Sequence, residues 1–310
     1  MRMPPQLPPP LDLAPFHVSE ALELGVPSAR LRRSDLVAPF RGIRSSTEIT
    51  TTCERCLSYL PLLAPDQSFS HATAAVLWGM WIPRRLRDRA IDVTSLGASR
   101  EPRIHGVRGH SVSADRVAVE VVRGLPVTSP LDTWRLMADI LSVDELVVAG
   151  DSLVRRQFPL ASLIDLPHVL DGCAGARGAA SLRRAVGLVR AGADSPRETR
   201  LRLLLTRAGL PEPLVNAEVS APGSAVRRFG DLVYPAQYVI VEYDGEQHRT
   251  DSRRYAADVA RLDALALAGW FVIRVLAHDL ADANALARRV ARVIHDRGWQ
   301  QPRSKLQLLR

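Results

Sequence analysis

Cysteine is scarce in this sequence, three among 310 residues, too few for a disulfide framework. Two of them, Cys53 and Cys56, form a lone C-x-x-C around Glu54 and Arg55, and no second pair completes a zinc site. Reduced, structural cysteines are the expectation. Long apolar runs are missing too. The longest uncharged stretch, 68–83, contains Ser70, His71 and Thr73 and falls short of a membrane span. The N-terminal stretch 1–15 is proline-rich without the apolar core of a signal peptide, so a cytoplasmic location is expected, with no membrane partner. No Ser/His/Asp triad, phosphate loop or dinucleotide fingerprint is present. Lysine is nearly absent: almost all of the 41 basic residues are arginine.

What is there is an ordinary globular composition, 46% apolar and 24% charged, in a chain long enough for two or three cores. The net charge of +8 permits nucleic-acid binding, and arginine suits forked contact with phosphate. Residues 1–11 read as a flexible leader. In 12–60, a short helix (Val18 to Leu24), a break at Gly25, and a second helix capped by Ser28 and carrying Arg30, Arg32 and Arg33 precede a ribbon with Arg41 and Arg44. That is the order of a winged helix-turn-helix. Residues 61–190 read as an α+β domain. It has a capped helix from Ser70, strands at 91–94, 104–107 and 117–122, and helices starting at Ser129-Pro130 and at the capping box Ser142-Val143-Asp144-Glu145.

The order predicted for 192–300 is helix (196–208), strands (214–220, 226–234, 238–244), helix (252–268), strand (270–275), helix (283–297), with 301–310 as a tail. Gly209 and Gly269 supply the stops. With a two-residue loop at Ala236-Gln237, Tyr234 pairs with Val239 and Asp231 falls opposite Glu242. Opposed residues on one face have Cβ atoms about 4.5–5.5 Å apart. Ile240, Glu242 and Asp244 share that face by alternation. Three carboxylates converging on one patch of apolar strands are costly unless a cation neutralises them, and Mg²⁺ or Mn²⁺ takes such hard oxygen ligands. The same residues also read as a frayed strand end, with Asp231 paired to Arg227 or Arg228.

At this point 192–300 resembles the domain-of-unknown-function proteins related to very-short-patch-repair endonucleases, in the PD-(D/E)XK superfamily. The likeness rests on Ser195-Pro-Arg-Glu198 with Arg202, Asp231-Leu, Val241-Glu242-Tyr-Asp244-Gly-Glu-Gln-His248, and Gly269-Trp270 with Ile273-Arg274. It implies a restriction-endonuclease-like α-β-β-β-α-β domain, metal held by Asp231, Glu242 and Asp244, and a metal-dependent DNA endonuclease or nickase. Gly230 stands where the superfamily has proline, and Asp244 where it has lysine. His248 is then the available general base or phosphate contact, and Arg274 or Arg254 a source of positive charge. Glu198 reads equally as a capping-box partner of Ser195 and as an acid near the metal. Residues 12–160 resemble the antitoxin-like proteins of type IV abortive-infection systems, through the 22–44 pattern, Ser70-His71-Ala72-Thr73 with Leu77-Trp78-Gly79, and Gly124-Leu-Pro-Val-Thr128 with Leu131 and Trp134. That implies DNA as partner, a cognate toxin as a second one, and a competing reading as a DNA-binding regulator with a non-catalytic nuclease fold.

Overall fold

The computed structural model describes residues 6–87, 90–97, 99–171, 173, 175–219, 228–244 and 252–300, without the side chains of 252–257. It is an α/β protein with mixed sheets. The chain divides into two units, 1–149 with 164–186 and 150–163 with 187–310.

In the first unit, β1 (Phe16–His17) pairs antiparallel with β2 (Ile43–Arg44). Between them α1 (Val18–Glu23) starts at His17, whose imidazole accepts from the Ser19 N–H, and the chain turns at Gly25 with φ of 78°. The expected arginine-bearing helix is absent. Arg30–Arg32 is a single 3-10 turn whose capping position is Ala29, without a side-chain acceptor, and Ser28 Oγ accepts from Arg32. Arg30 is buried and forks onto Asp35 at 3.1 and 2.8 Å, drawing the chain back. Leu11, Phe16, Ala21, Leu31 and Leu36 form the small core here.

After α2 (Thr52–Tyr59), the strands β3 (Gln67–Phe69), β4 (Ile91–Leu96), β5 (Val107–Val112), β6 (Val119–Val122) and β7 (Leu125–Thr128) make a sheet of order β5-β4-β3-β7-β6. The strand expected at 104–107 begins instead at Val107, after Gly106 turns with φ of 83°. One sheet face is apolar, with Phe69, Ile91, Val93, Leu125 and Val127 packed against Phe40, Tyr59 and Cys56. Burial in that core pushes the Cys56 thiol pKa well up, so it is an inert core residue. The helices α3 (His71–Leu77) and α4 (Pro130–Leu136) complete this region.

The other face of β3 and β4 is polar and still buried. Ser68 and Thr94 are register partners, as are Thr94 and His110, and Asp92 and Arg108. His71, in the left-handed region at φ of 48°, stacks on His110 with ring centroids 3.7 Å apart, and His110 Nε2 meets Asp92 at 3.0 Å. Thr94 donates to Ser70 Oγ at 2.6 Å, leaving the Ser70 hydroxyl to donate to His71 Nδ1 at 2.9 Å. Burial, then repulsion by His110, lowers the His71 pKa to about 3. The unfolded chain therefore binds a proton near pH 6.5 that the folded one refuses. Stability should fall by about 1.4 kcal/mol per pH unit as pH drops from 6.5. Thermal melting between pH 6.5 and 4.5 checks this: His71→Gln should flatten the slope, and an unchanged slope rules the assignment out.

α5 (Val143–Leu153) and α6 (Ala179–Leu188) each contribute residues to both units. The second unit continues with α7 (Pro196–Arg207), β8 (Leu214–Val219), β9 (Arg228–Tyr234), β10 (Val239–Tyr243), α8 (Ser252–Leu267), β11 (Phe271–Val275) and α9 (Ala283–Asp296). These bounds match the sequence reading to within about two residues wherever they are described, because Ser195, Gly209, Gly269 and Asp282 punctuate the chain clearly. The sheet order is β11-β10-β9-β8, antiparallel except for the parallel β10–β11 pair. One face carries Leu232, Tyr234, Val239 and Val241 against Leu201 and Leu205 of α7 and Leu286, Val290 and Ile294 of α9. The other carries Val233 and Ile240 against Leu265 and Trp270. A Cβ at Gly230 would lie 2.5 Å from Ile240 Cγ2. Packing therefore favours glycine immediately before Asp231.

Candidate functional site

The β9–β10 hairpin sets the site. Tyr234 pairs with Val239, Val233 with Ile240 and Leu232 with Val241. Leu232 and Val241 are the last partners in register, and Asp231 and Glu242 come one step further along their strands. In place of the expected two-residue loop at Ala236-Gln237, the connection is a 3-10 turn, Pro235–Gln237, followed by Tyr238, left-handed at φ of 53°. Asp231 Oδ2 accepts from the Tyr243 N–H at 2.9 Å, so this side chain satisfies a strand donor where the hairpin ladder ends.

Asp231 and Glu242 have different electrostatic environments. Glu242 is buried, and Arg261 of α8 forks onto both its oxygens at 2.8 and 2.5 Å. Among the described residues no cation lies within ion-pair distance of Asp231. Burial first, then repulsion by Glu198 and by Glu242, pushes the Asp231 carboxyl up to about 7, against the opposing pull of the Tyr243 N–H and Arg261. Glu198 is buried in the first turn of α7, where Ser195 accepts from its N–H. Its carboxylate accepts from the Asp194 N–H at 2.9 Å and from Asn216 Nδ2 at 2.7 Å. Burial raises its pKa as well. The Ser195 cap and the charge facing Asp231 are both present. Its side chain nonetheless reaches back to Asp194 rather than to the capping residue.

Asp244 shares an ion pair with Arg274 at 3.1 Å, and Arg274 also meets Asp258 at 2.8 Å. Arg274 is level with Glu242 in the parallel ladder. His248, Arg227 and the Arg254 side chain lie outside what is described. Arg228 Nη1 donates to the Arg261 carbonyl. Two cations that the sequence did not single out stand near the acidic centre. Arg156 holds Asp194 through Nε at 3.0 Å, lies 5.3 Å over the Phe229 ring and feels the charges of Glu198 and Asp231. Arg197 is exposed and lies 5.0 Å over the Tyr243 ring. Arg156 was hidden because it sits 75 residues before Asp231. Arg197 lies within the Ser195–Glu198 motif, which assigned it no role, and Arg261 had only helical spacing to recommend it.

The residues fit a hard divalent cation at two positions. Asp231 and Glu242 stand near enough for their charges to interact, and burial together with repulsion by Glu198 and Glu242 raises the Asp231 pKa. Mg²⁺ is commonly held by one or two carboxylates with waters completing the shell. Asp244 is engaged by Arg274 and Glu198 by its backbone and amide donors. Among the described residues no three His, Cys, Asp or Glu side chains are arranged to hold a metal.

Of the N-terminal arginines, Arg30 is committed to Asp35, and Arg44 donates to the carbonyls of Leu31 and Ile43 at 2.7 and 2.8 Å. Arg32, Arg33 and Arg41 are exposed.

No family model matches the chain, and no curated protein matches it. Among solved structures it is similar to the crystal structure of the RV2827C protein from Mycobacterium tuberculosis. The likeness has 18% identity and a TM-score of 0.38, covering 67% of this chain and 84% of that one. It carries no argument. No described helix is long and apolar enough to cross a membrane.

Proposed function

We propose that 192–300 is a PD-(D/E)XK-type, metal-dependent DNA endonuclease or nickase domain, directed to DNA by the N-terminal region whose sequence has the order of a winged helix-turn-helix, where Arg32, Arg33 and Arg41 are exposed. The observation that carries this reading is Asp231 and Glu242 on neighbouring strands, one step beyond the last register pair, with the Asp231 carboxyl raised by burial and by the charges of Glu198 and Glu242. The element order α7-β8-β9-β10-α8-β11 and the surrounding Arg156, Arg197, Arg261 and Arg274 support it. A bound cation would be held by Asp231 and Glu242 and would supply an activated water and charge neutralisation at a phosphodiester. The arginines hold the phosphate backbone. Purified protein with supercoiled plasmid and Mg²⁺ or Mn²⁺ should give nicked or linear product, and Asp231→Ala should give none. Equal cleavage by both proteins would assign it to a contaminant.

A second reading is an antitoxin-like DNA-binding regulator with a toxin partner and an inert nuclease fold. The observation favouring it is that Glu242 and Asp244 are each already paired with arginine. Both readings need a DNA-binding surface. Charge reversal of Arg32, Arg33 and Arg41 together should weaken DNA binding and flatten its salt dependence, by about 0.9 in log–log slope for each phosphate no longer neutralised. Arg30 is left intact because its reversal would set a carboxylate against Asp35. Unchanged affinity over a salt series would remove these residues from the interface.

A further inference from the structure

The lysine expected two residues beyond Glu242 is Asp244, yet the site has a cation of its own. Arg261 comes from α8, and its two terminal nitrogens cover both Glu242 oxygens at 2.8 and 2.5 Å. It has a second acceptor in reach: Asp258, one turn earlier on the same helix, lies 3.5 Å from Arg261 Nε. Asp258 also receives Arg274, which is shared with Asp244. Arg261 is thus poised between two carboxylates, one in the acidic centre and one outside it.

Building on the metal-site reading above, we propose that Arg261 is a positioning residue that competes with a divalent cation for Glu242. Without metal, the guanidinium fork neutralises Glu242 and occupies both its oxygens. A cation that takes Glu242 displaces the fork, which transfers to Asp258 and keeps its charge beside the site, facing a phosphate. Pairing and metal binding exclude each other, so each weakens the other by the same factor. The fork matters as well as the charge, because a bidentate guanidinium covers two oxygens where an ammonium meets one.

The test is calorimetric titration of the full chain with Mg²⁺ and with Ca²⁺. Arg261→Gln should bind about tenfold more tightly than the parent. Arg261→Lys separates competition from simple repulsion: it keeps the charge and loses the fork, so it should also bind more tightly. Parent-like affinity in Arg261→Lys overturns the proposal. A measurement that needs no variant is the Arg261 Nε–H resonance in the parent, which should shift as Mg²⁺ saturates. Metal binding with that resonance unmoved overturns the competition and leaves the metal site standing. No binding of either ion by parent or variants overturns both.

Discussion

Arg202→Met or Asp151→Ala should each cost the second unit about 3–5 kcal/mol, the loss expected when a buried ion pair is left with one member. Asp151 and Arg202 are both essentially inaccessible, with side-chain exposures of 0% and 1%. Asp151 accepts from Thr199 Oγ1 at 2.7 Å, the Arg190 N–H at 2.8 Å and Arg202 Nη2 at 3.0 Å. Arg202 also donates to Glu212 and to the Leu188 carbonyl, while its Nε has no partner among the described residues. Burial raises the Asp151 pKa despite Arg202 and the other donors, so desolvation outweighs their pull. Removing Arg202 leaves a buried carboxylate without its counter-ion. Removing Asp151 leaves the buried guanidinium with only the half-exposed Glu212 as acidic partner and orphans the Thr199 hydroxyl and the Arg190 N–H. Thermal and urea denaturation measure the loss, and the double variant Asp151→Leu/Arg202→Met should be milder than the sum of the singles. Single losses under about 1 kcal/mol would mean that water reaches the pair.

This pair also shows where the sequence stopped being legible. Arg202 belonged to the pattern that suggested a nuclease-like domain, yet its partner lies 51 residues upstream, in a helix that reads as apolar. Nothing local in Leu146-Val147-Val148-Ala149-Gly150-Asp151 announces a buried carboxylate. The second unit's elements were readable because caps and stops are local. The Tyr234–Val239 pairing was readable because a short hairpin leaves little freedom in the register. Charges contributed by distant segments were not, so Arg156 and Arg261 went unmarked. The Ser28 segment failed for the opposite reason. Its local helix signals are sound, but the tertiary pairing of Arg30 with Asp35 and of Val37 with Ser45 turns the chain before a helix can extend. Local propensity yields to such contacts.

Asp231→Asn should stabilise the metal-free protein at pH 8, unusually for a substitution at a half-buried polar residue. The folded-state pKa of about 7 lies above the ordinary value of 3.8, so the folded chain holds that proton more tightly than the unfolded chain. This contribution is fully present below about pH 4, declines as pH rises and is lost above pH 7. With solvent screening allowed for, the loss is on the order of 3 kcal/mol. Asparagine removes the charge and keeps an oxygen to accept the Tyr243 N–H. In EDTA, Asp231→Asn should therefore melt higher than the parent at pH 8, by about 2–4 °C per kcal/mol, and the two should converge near pH 4. Mg²⁺ should reverse the ranking. The parent gains stability by binding metal in the folded state, while the variant, short of an anionic ligand, gains little. An Asp231→Asn protein that melts below the parent at both pH values would show that the carboxylate is stabilising as it stands. A parent whose melting ignores Mg²⁺ at millimolar concentration would remove the cation from the site and leave DNA binding without cleavage as the function to pursue.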